Sequence, residues 1–154
     1  MEAVFVPSTV MEIGDFAFYD CAHLARLEFP EDSELEQIGQ NAFYNSALAA
    51  FRAPASLLVV ADWAFYECEH LAQLDLRACD QLCTVGTAAF AGTGVEEVEL
   101  PDSLTEVGAC AFCSCPRLRE VRLGTGLATI GDDAFADCGA LETVRVPAGF
   151  QVSL

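Results

Sequence analysis

The sequence predicts an α/β solenoid, in which about six short repeats stack their strands into one parallel β-sheet, with short helical turns on the other side. Three observations carry this. Ala-Phe recurs at 17–18, 42–43, 64–65, 89–90, 111–112 and 134–135, each followed five or six residues later by leucine or valine. Short segments of period-two alternation, such as Leu24-Ala25-Arg26-Leu27-Glu28-Phe29, recur once per unit, and that alternation marks strands with one buried face. Neither a strand nor a helical turn can bury its apolar face alone, so the copies must bury them against each other.

The spacing of the repeated phenylalanines is 25, 22, 25, 22 and 23 residues. Long and short units alternate, which gives much of the chain a double period of 47 residues and points to duplication of a two-repeat block. Four units carry cysteine three residues after Phe (Cys21, Cys68, Cys115, Cys138); in the other two, Ser46 and Thr93 replace it and the hop to the next apolar residue is one residue shorter. The stretches after Phe29 and Leu76 are two residues longer than their counterparts.

Each unit opens with a strand. Seven are expected, the first starting at Met1 and carrying Val4 and Val6. Proline, which cannot donate to a sheet ladder, closes several of them, as at Pro30 and Pro147. A turn follows, then an apolar pair three residues apart, from Val10 and Ile13 to Leu127 and Ile130. Glycine comes next in five units (Gly14, Gly39, Gly86, Gly108, Gly131), with Ala61 the exception; the expectation is a bend or a positive φ there. Asp15, Asp62, Thr87 and Asp132 then suit the start of a helical turn. In the turn Phe fills the interior and the cysteine serves as a small buried hydrophobe. Because every unit runs in the same direction, the sheet is expected to be parallel.

Composition limits the function. Hydrophobic residues make up 53% of the 154, enough for a core. No run is long enough to span a bilayer, and residues 1–7 lack the basic start and apolar core of a signal peptide. The net charge is −17, with seven arginines and no lysine. Such a chain is repelled by nucleic-acid phosphates and anionic membrane surfaces. The acidity serves solubility or docks a basic partner. No Gly-x-Ser-x-Gly, Walker loop or His-Glu-x-x-His occurs, and the two histidines, His23 and His70, share one repeat column. The expectation is therefore no enzyme and no cofactor.

The pattern Leu-x-x-Leu-x-Leu-Pro followed by Leu-x-x-Ile-Gly-x-x-Ala-Phe-x-x-Cys-x-x-Leu, in units of about 23 residues, resembles the BspA-type leucine-rich repeat family. The likeness runs from residue 1 to about 150. It implies a curved right-handed solenoid with its parallel sheet on the concave face. Residues 1–154 would be a single leucine-rich repeat domain, a fragment of a longer array. It also implies a non-catalytic protein-interaction module, at a cell surface and acting as an adhesin, or alternatively an intracellular scaffold. The family has no shared catalytic residues to carry over.

Three candidate sites remain. Cys110, Cys113 and Cys115 have the spacing of a zinc knuckle or redox pair, the basis of a metal or redox alternative, although the middle of Cys110-Ala-Phe-Cys113 is the repeated Ala-Phe. Cys79 and Cys83 are close enough in sequence for a local disulfide. Tyr19, Tyr44 and Tyr66 follow their phenylalanines directly and predict a stacked row, read as ring-on-ring packing or as a sugar- or partner-binding row. The sheet face is the third site. Its outward residues carry four arginines and five acids, so a partner can approach it without the repulsion of the remaining surface. Arg26, Arg52, Asp75, Glu97, Glu99, Arg122 and Arg145 are the expected contacts. Arg52 should neighbour Glu28 and Asp75, and Arg122 should neighbour Glu99. The first strand has no neighbour before it, and an open parallel edge recruits other chains; end-to-end self-association is the resulting expectation, to be read by sedimentation.

Overall fold

The computed structural model describes residues 2–148. In chain order the strands are β1 (Glu2–Phe5), β2 (Glu12–Ile13), β3 (Leu24–Glu28), β4 (Gln37–Ile38), β5 (Ala50–Arg52), β6 (Val59–Val60), β7 (Gln73–Asp75), β8 (Thr84–Val85), β9 (Glu97–Glu99), β10 (Glu106–Val107), β11 (Glu120–Arg122), β12 (Thr129–Ile130) and β13 (Thr143–Arg145). The seven odd-numbered strands are the ones the alternation predicts, and every pairing between strands is parallel. Their phase is also as expected: Phe51, Leu74, Val98 and Val121 are buried while Arg52, Glu97, Glu99 and Arg122 are exposed. At the two ends of the stack the equivalent Val4 and Val144 are half-buried, and Leu27 of β3, which pairs with β1 but has no ladder to β5, is half-buried too.

The long-strand face is split in two places. β1 pairs with β3, β5 with β7, and β9 with β11 and β13, but no ladder joins β3 to β5 or β7 to β9. Both breaks fall where the longer turn after Phe29 or Leu76 is followed by the shorter hop through Ser46 or Thr93. Single bonds from Ala49 N to Ala25 O (3.4 Å) and from Glu96 N to Ala72 O (3.3 Å) hold the strand starts together there. The 47-residue double period is therefore visible in the sheet as a change of strand alignment every second turn.

The short strands, which the sequence reading treated as turn, form a sheet of their own. The even-numbered strands form one unbroken parallel sheet in the order β12-β10-β8-β6-β4-β2. Each contributes only two residues, the second of which is buried in five strands (Ile13, Ile38, Val60, Val85, Val107) and half-buried in the sixth (Ile130). A two-residue strand shows no alternation, so its signature is only the apolar pair three apart.

The expected helical turns are absent: no helix occurs among the described residues. The Ala-Phe segments are instead chains of overlapping β-turns. In the first unit Ala17 N, Tyr19 N and Cys21 N bond to Gly14 O, Phe16 O and Phe18 O, three residues back. The intervening amides of Phe16, Phe18 and Asp20 point the other way, to Gln40 O, Ala42 O and Tyr44 O of the next unit. An α-helix spends every interior amide on its own i−4 carbonyl; here half of them join the repeats. Two residues per unit, four apart, take the left-handed conformation this requires, from Phe16 and Asp20 to Asp133 and Asp137, with φ between 52° and 72°. Positive φ at the third position is the mark of a type II turn.

The glycine column also has a different cause from the one expected. Among the described residues only Gly92 is a glycine with positive φ. Gly39, Gly86, Gly108 and Gly131 are needed because adjacent turns touch: a Cβ on Gly108 would lie 2.5 Å from Thr87 N, and one on Gly131 would lie 2.2 Å from Ala109 N. Asp15 and Asp62 do not cap helices. Their Oδ1 atoms accept from Gln40 N and Thr87 N of the following unit, both at 2.8 Å.

The core is a set of columns. The six repeated phenylalanines stack with centroid separations of 5.3, 5.1, 5.0, 5.3 and 5.6 Å and their rings are nearly parallel throughout. Phe43, Phe65, Phe90 and Phe112 are fully buried, and Phe18 and Phe135, at the ends, are half-buried. The Cys/Ser/Thr column carries a polar task besides packing. Cys68 and Cys138 donate from Sγ to the carbonyls of Phe43 (2.9 Å) and Phe112 (3.1 Å), and Thr93 Oγ1 donates to Phe90 O at 2.9 Å. A small side chain with a donor is what these three residue types share.

Candidate interaction face

The long-strand face places the sequence-selected charges in register. Because the strands are parallel and pair residue for residue, Arg52 lies opposite Asp75, and Arg122 lies between Glu99 and Arg145. Arg52 Nε is 3.7 Å from Asp75, and Arg122 Nη1 is 3.9 Å from Glu99. The expected neighbour Glu28 pairs instead with Arg26 of its own strand, since the ladder between β3 and β5 is missing. The same register sets Glu120 against Glu97. Like charges directly opposed are unfavourable, and each is relieved from the side: Arg145 Nε donates to Glu120 at 2.6 Å, and Arg119 Nη2 donates to Glu97 at 3.3 Å.

Asp75 is the hub of this lattice. Arg77 grips it through Nε to Oδ1 and Nη2 to Oδ2, both 3.0 Å, and the Arg77 amide adds a third bond. These bonds hold the Asp75 carboxyl below the usual carboxylate range, with the Arg52 charge contributing. Arg77 and Arg119 belong to this lattice and were not among the residues singled out from the sequence. Arg77 continues the outward phase of Gln73 and Asp75 one step past the strand end, and Arg119 precedes the alternating positions of β11.

Together these side chains line a depression of about 790 Å³ over β5, β7, β9 and β11. Arg52, Asp75, Glu97, Glu99 and Arg122 line it, as do Arg77 and Arg119; Arg26 and Arg145 lie outside it. The pairs are solvent-exposed, so each contributes only about 0–1 kcal/mol. Arg52, whose side chain is 84% exposed, projects furthest into solvent.

The cysteine cluster is separated by the repeat grammar. Cys110 occupies a left-handed position with φ 56°, Cys113 stands in the tyrosine column, and Cys115 points inward to Phe90 O at 3.3 Å. Among the described residues no group of three or more His, Cys, Asp or Glu side chains is placed to hold a metal ion. Burial, reinforced by the neighbouring Cys110 thiol, pushes Cys113 up to about 11. Cys79 is pushed up to about 12 by burial and donates toward Pro54 O at 3.4 Å, while Cys83 is exposed; both thiols are free. Because only the thiolate alkylates, iodoacetamide should label Cys113 slowly at pH 7.5 and faster as the pH is raised toward 11. Site-resolved mass spectrometry reads this, and fast labelling of Cys113 at neutral pH would show that its thiol is not shielded.

Parallel ladders of long strands, an unbroken parallel sheet of short strands, one inner column of phenylalanines and a unit of 22 to 25 residues define a leucine-rich repeat β-solenoid of about six turns. The chain belongs to the BspA-type family of such repeats: the model of the BspA type leucine rich repeat region matches residues 1–82 and 83–153, with six copies. Among solved structures it is similar to the T. pallidum leucine rich repeat protein TpLRR, at 32% identity and a TM-score of 0.86, covering 93% of this chain and 68% of that one. The pneumococcal vaccine antigen PcpA shares the fold at 21% identity and a TM-score of 0.71, covering 94% of this chain and 50% of that one. A leucine rich cell surface protein from Faecalibacterium prausnitzii A2-165 does so at 20% identity and a TM-score of 0.54, covering 94% and 60%. No curated protein sequence matches the chain. Among the described residues no helix is long and apolar enough to cross a membrane.

Proposed function

We propose that this chain is a non-catalytic protein-interaction module that receives a protein partner in the depression of its long-strand face. The observation that supports this most is the coincidence of that depression with the exposed Arg–acid lattice centred on Arg52, Asp75, Glu99 and Arg122. Arginine is favoured where interfaces concentrate binding energy, and charges paired across strands hold their positions before a partner arrives. A face that is close to neutral on a chain of net charge −17 is also where another acidic surface is least repelled. Recognition at a cell surface, as an adhesin, is the setting we favour, since one protein of the same fold is described as a cell surface protein and another as a vaccine antigen.

The test is affinity capture with this chain as bait, followed by charge reversal. Arg52→Glu with Arg122→Glu should weaken capture at least about tenfold, the size expected when hot-spot arginines are lost. Asp132→Arg with Asp137→Arg, on the turn edge away from the sheet face, should change it little. Equal losses from the two pairs would place the site elsewhere.

A further inference from the structure

The turn edge of the solenoid carries a second surface, distinct from the sheet face. Six positions per unit line this edge: residues 15–20, 40–45, 62–67, 87–92, 109–114 and 132–137. None of them is Arg, Lys or His. The edge is divided into two halves. Beyond the repeated core phenylalanines, its aromatic residues all fall in the first three units: Phe16, Tyr19, Tyr44, Trp63 and Tyr66. In the last three units the same columns hold Ala88, Ala91, Cys110, Cys113, Asp133 and Ala136.

The tyrosines form a wall, with Tyr19 on Tyr44 at 4.6 Å and Tyr44 on Tyr66 at 5.5 Å, so their faces cover one another. Phe16 and Trp63 are different. They are 55% and 40% exposed, and among the described residues no ring stacks face to face on either; Phe16 meets Tyr19 only at a tilt of 56°. Both sit at positive φ, 60° and 56°, in a column where the other units place Asn41, Ala88, Cys110 and Asp133. Asn and Asp tolerate the left-handed region; bulky aromatic residues do so at a cost.

The flanking charge indicates the ligand. Asp15 and Asp20 bracket Phe16 and Tyr19, and Asp62 and Glu67 bracket Trp63 and Tyr66. Asp15 and Asp62 spend one carboxylate oxygen each on the next unit's backbone, and Asp20 spends one on Asn45 Nδ2 at 2.7 Å, leaving the other oxygen of each without a bond in the described structure. Exposed ring faces set among carboxylates recognise cations, which the ring quadrupole attracts and the carboxylates neutralise. We propose that the turn edge of the first three units binds an arginine-rich peptide segment, with guanidinium groups over Trp63 and Phe16 and hydrogen-bonded to the flanking acids.

Trp63 is the single tryptophan, so it reports on the site directly. The chain is titrated with an acetylated, amidated hexa-arginine peptide at 0.15 M salt, following Trp63 emission and, independently, heat by calorimetry. The expected result is a saturable change in emission with matching calorimetric affinity. Trp63→Asn and Phe16→Asn, which suit the left-handed backbone at both positions, are each expected to weaken calorimetric binding about tenfold, a loss typical of a desolvated cation–π contact. Asp132→Asn with Asp133→Asn removes two charges from the aromatic-free half and is expected to change affinity less than about twofold, as for charges outside the site. Circular dichroism confirms that each variant is folded. A non-saturable titration, or a loss from the charge pair as large as that from the aromatic variants, would show that the peptide is held by net charge alone and would overturn the proposal.

Discussion

Replacing Phe90 by alanine is expected to destabilise the chain by about 3–5 kcal/mol, the cost of emptying a fully buried aromatic site. Phe90 lies at the middle of the ring column, 5.0 Å from Phe65 and 5.3 Å from Phe112, and is wholly buried. In a stack of repeats stability is shared between each unit and its neighbours, so losing this ring weakens two junctions at once. Phe18→Ala is expected to cost less, because Phe18 is half-buried and has a stacking partner on one side only. Denaturant titration of both variants gives the comparison. A loss below about 1 kcal/mol for Phe90→Ala would mean that the column does not form a core of the expected kind.

The second large effect is expected at Gly108. A Cβ there would sit 2.5 Å from Thr87 N and 2.6 Å from Gly86 C, which are backbone atoms of the preceding unit and cannot swing aside. Gly108→Ala must therefore push two turns apart, at a cost of about 1–3 kcal/mol as for other overpacked sites. Ala61, the one alanine of this column, keeps its bond to Ile38 O at 2.9 Å, so the stack can yield without breaking. Gly14 is the internal control. It has no atom within 4 Å of its Cβ position, and Gly14→Ala should leave stability unchanged or raise it slightly by restricting the unfolded chain. Equal losses at both positions would mean that backbone conformation, and not contact between turns, selects glycine here.

The sequence made some features legible and hid others for physical reasons. Alternation in segments such as Leu24–Phe29 gave the long strands and their outward phase, because only one register buries the apolar set. The repeated phenylalanine marked the inner column, but the long-strand face was expected to be one sheet, and its two breaks appear only when the alternating 25- and 22-residue units are stacked. The short strands left no such trace, since two residues cannot alternate. The left-handed pairs were written plainly in Asn41 and Asn45 and in Asp133 and Asp137, four apart, but Phe16, Trp63, Ala88 and Cys110 masked the pattern in the other units. A helical turn was the wrong reading because each Ala-Phe segment sends half its amides to the next repeat, a demand that no single unit reveals. At the sheet face, the outward placement of Arg52, Asp75, Glu97, Glu99 and Arg122 was legible from phase alone. The hub role of Asp75 depends on Arg77, which lies beyond the strand and enters the lattice only through the turn that follows.

The claim that the long-strand face receives the partner is tested most directly by hydrogen–deuterium exchange of this chain with and without the captured protein. Added protection is expected to concentrate in residues 50–52, 73–77, 96–99 and 119–122, the segments around the depression. Protection confined to the short-strand sheet, or spread over the turn edge with none at β7 and β9, would contradict it.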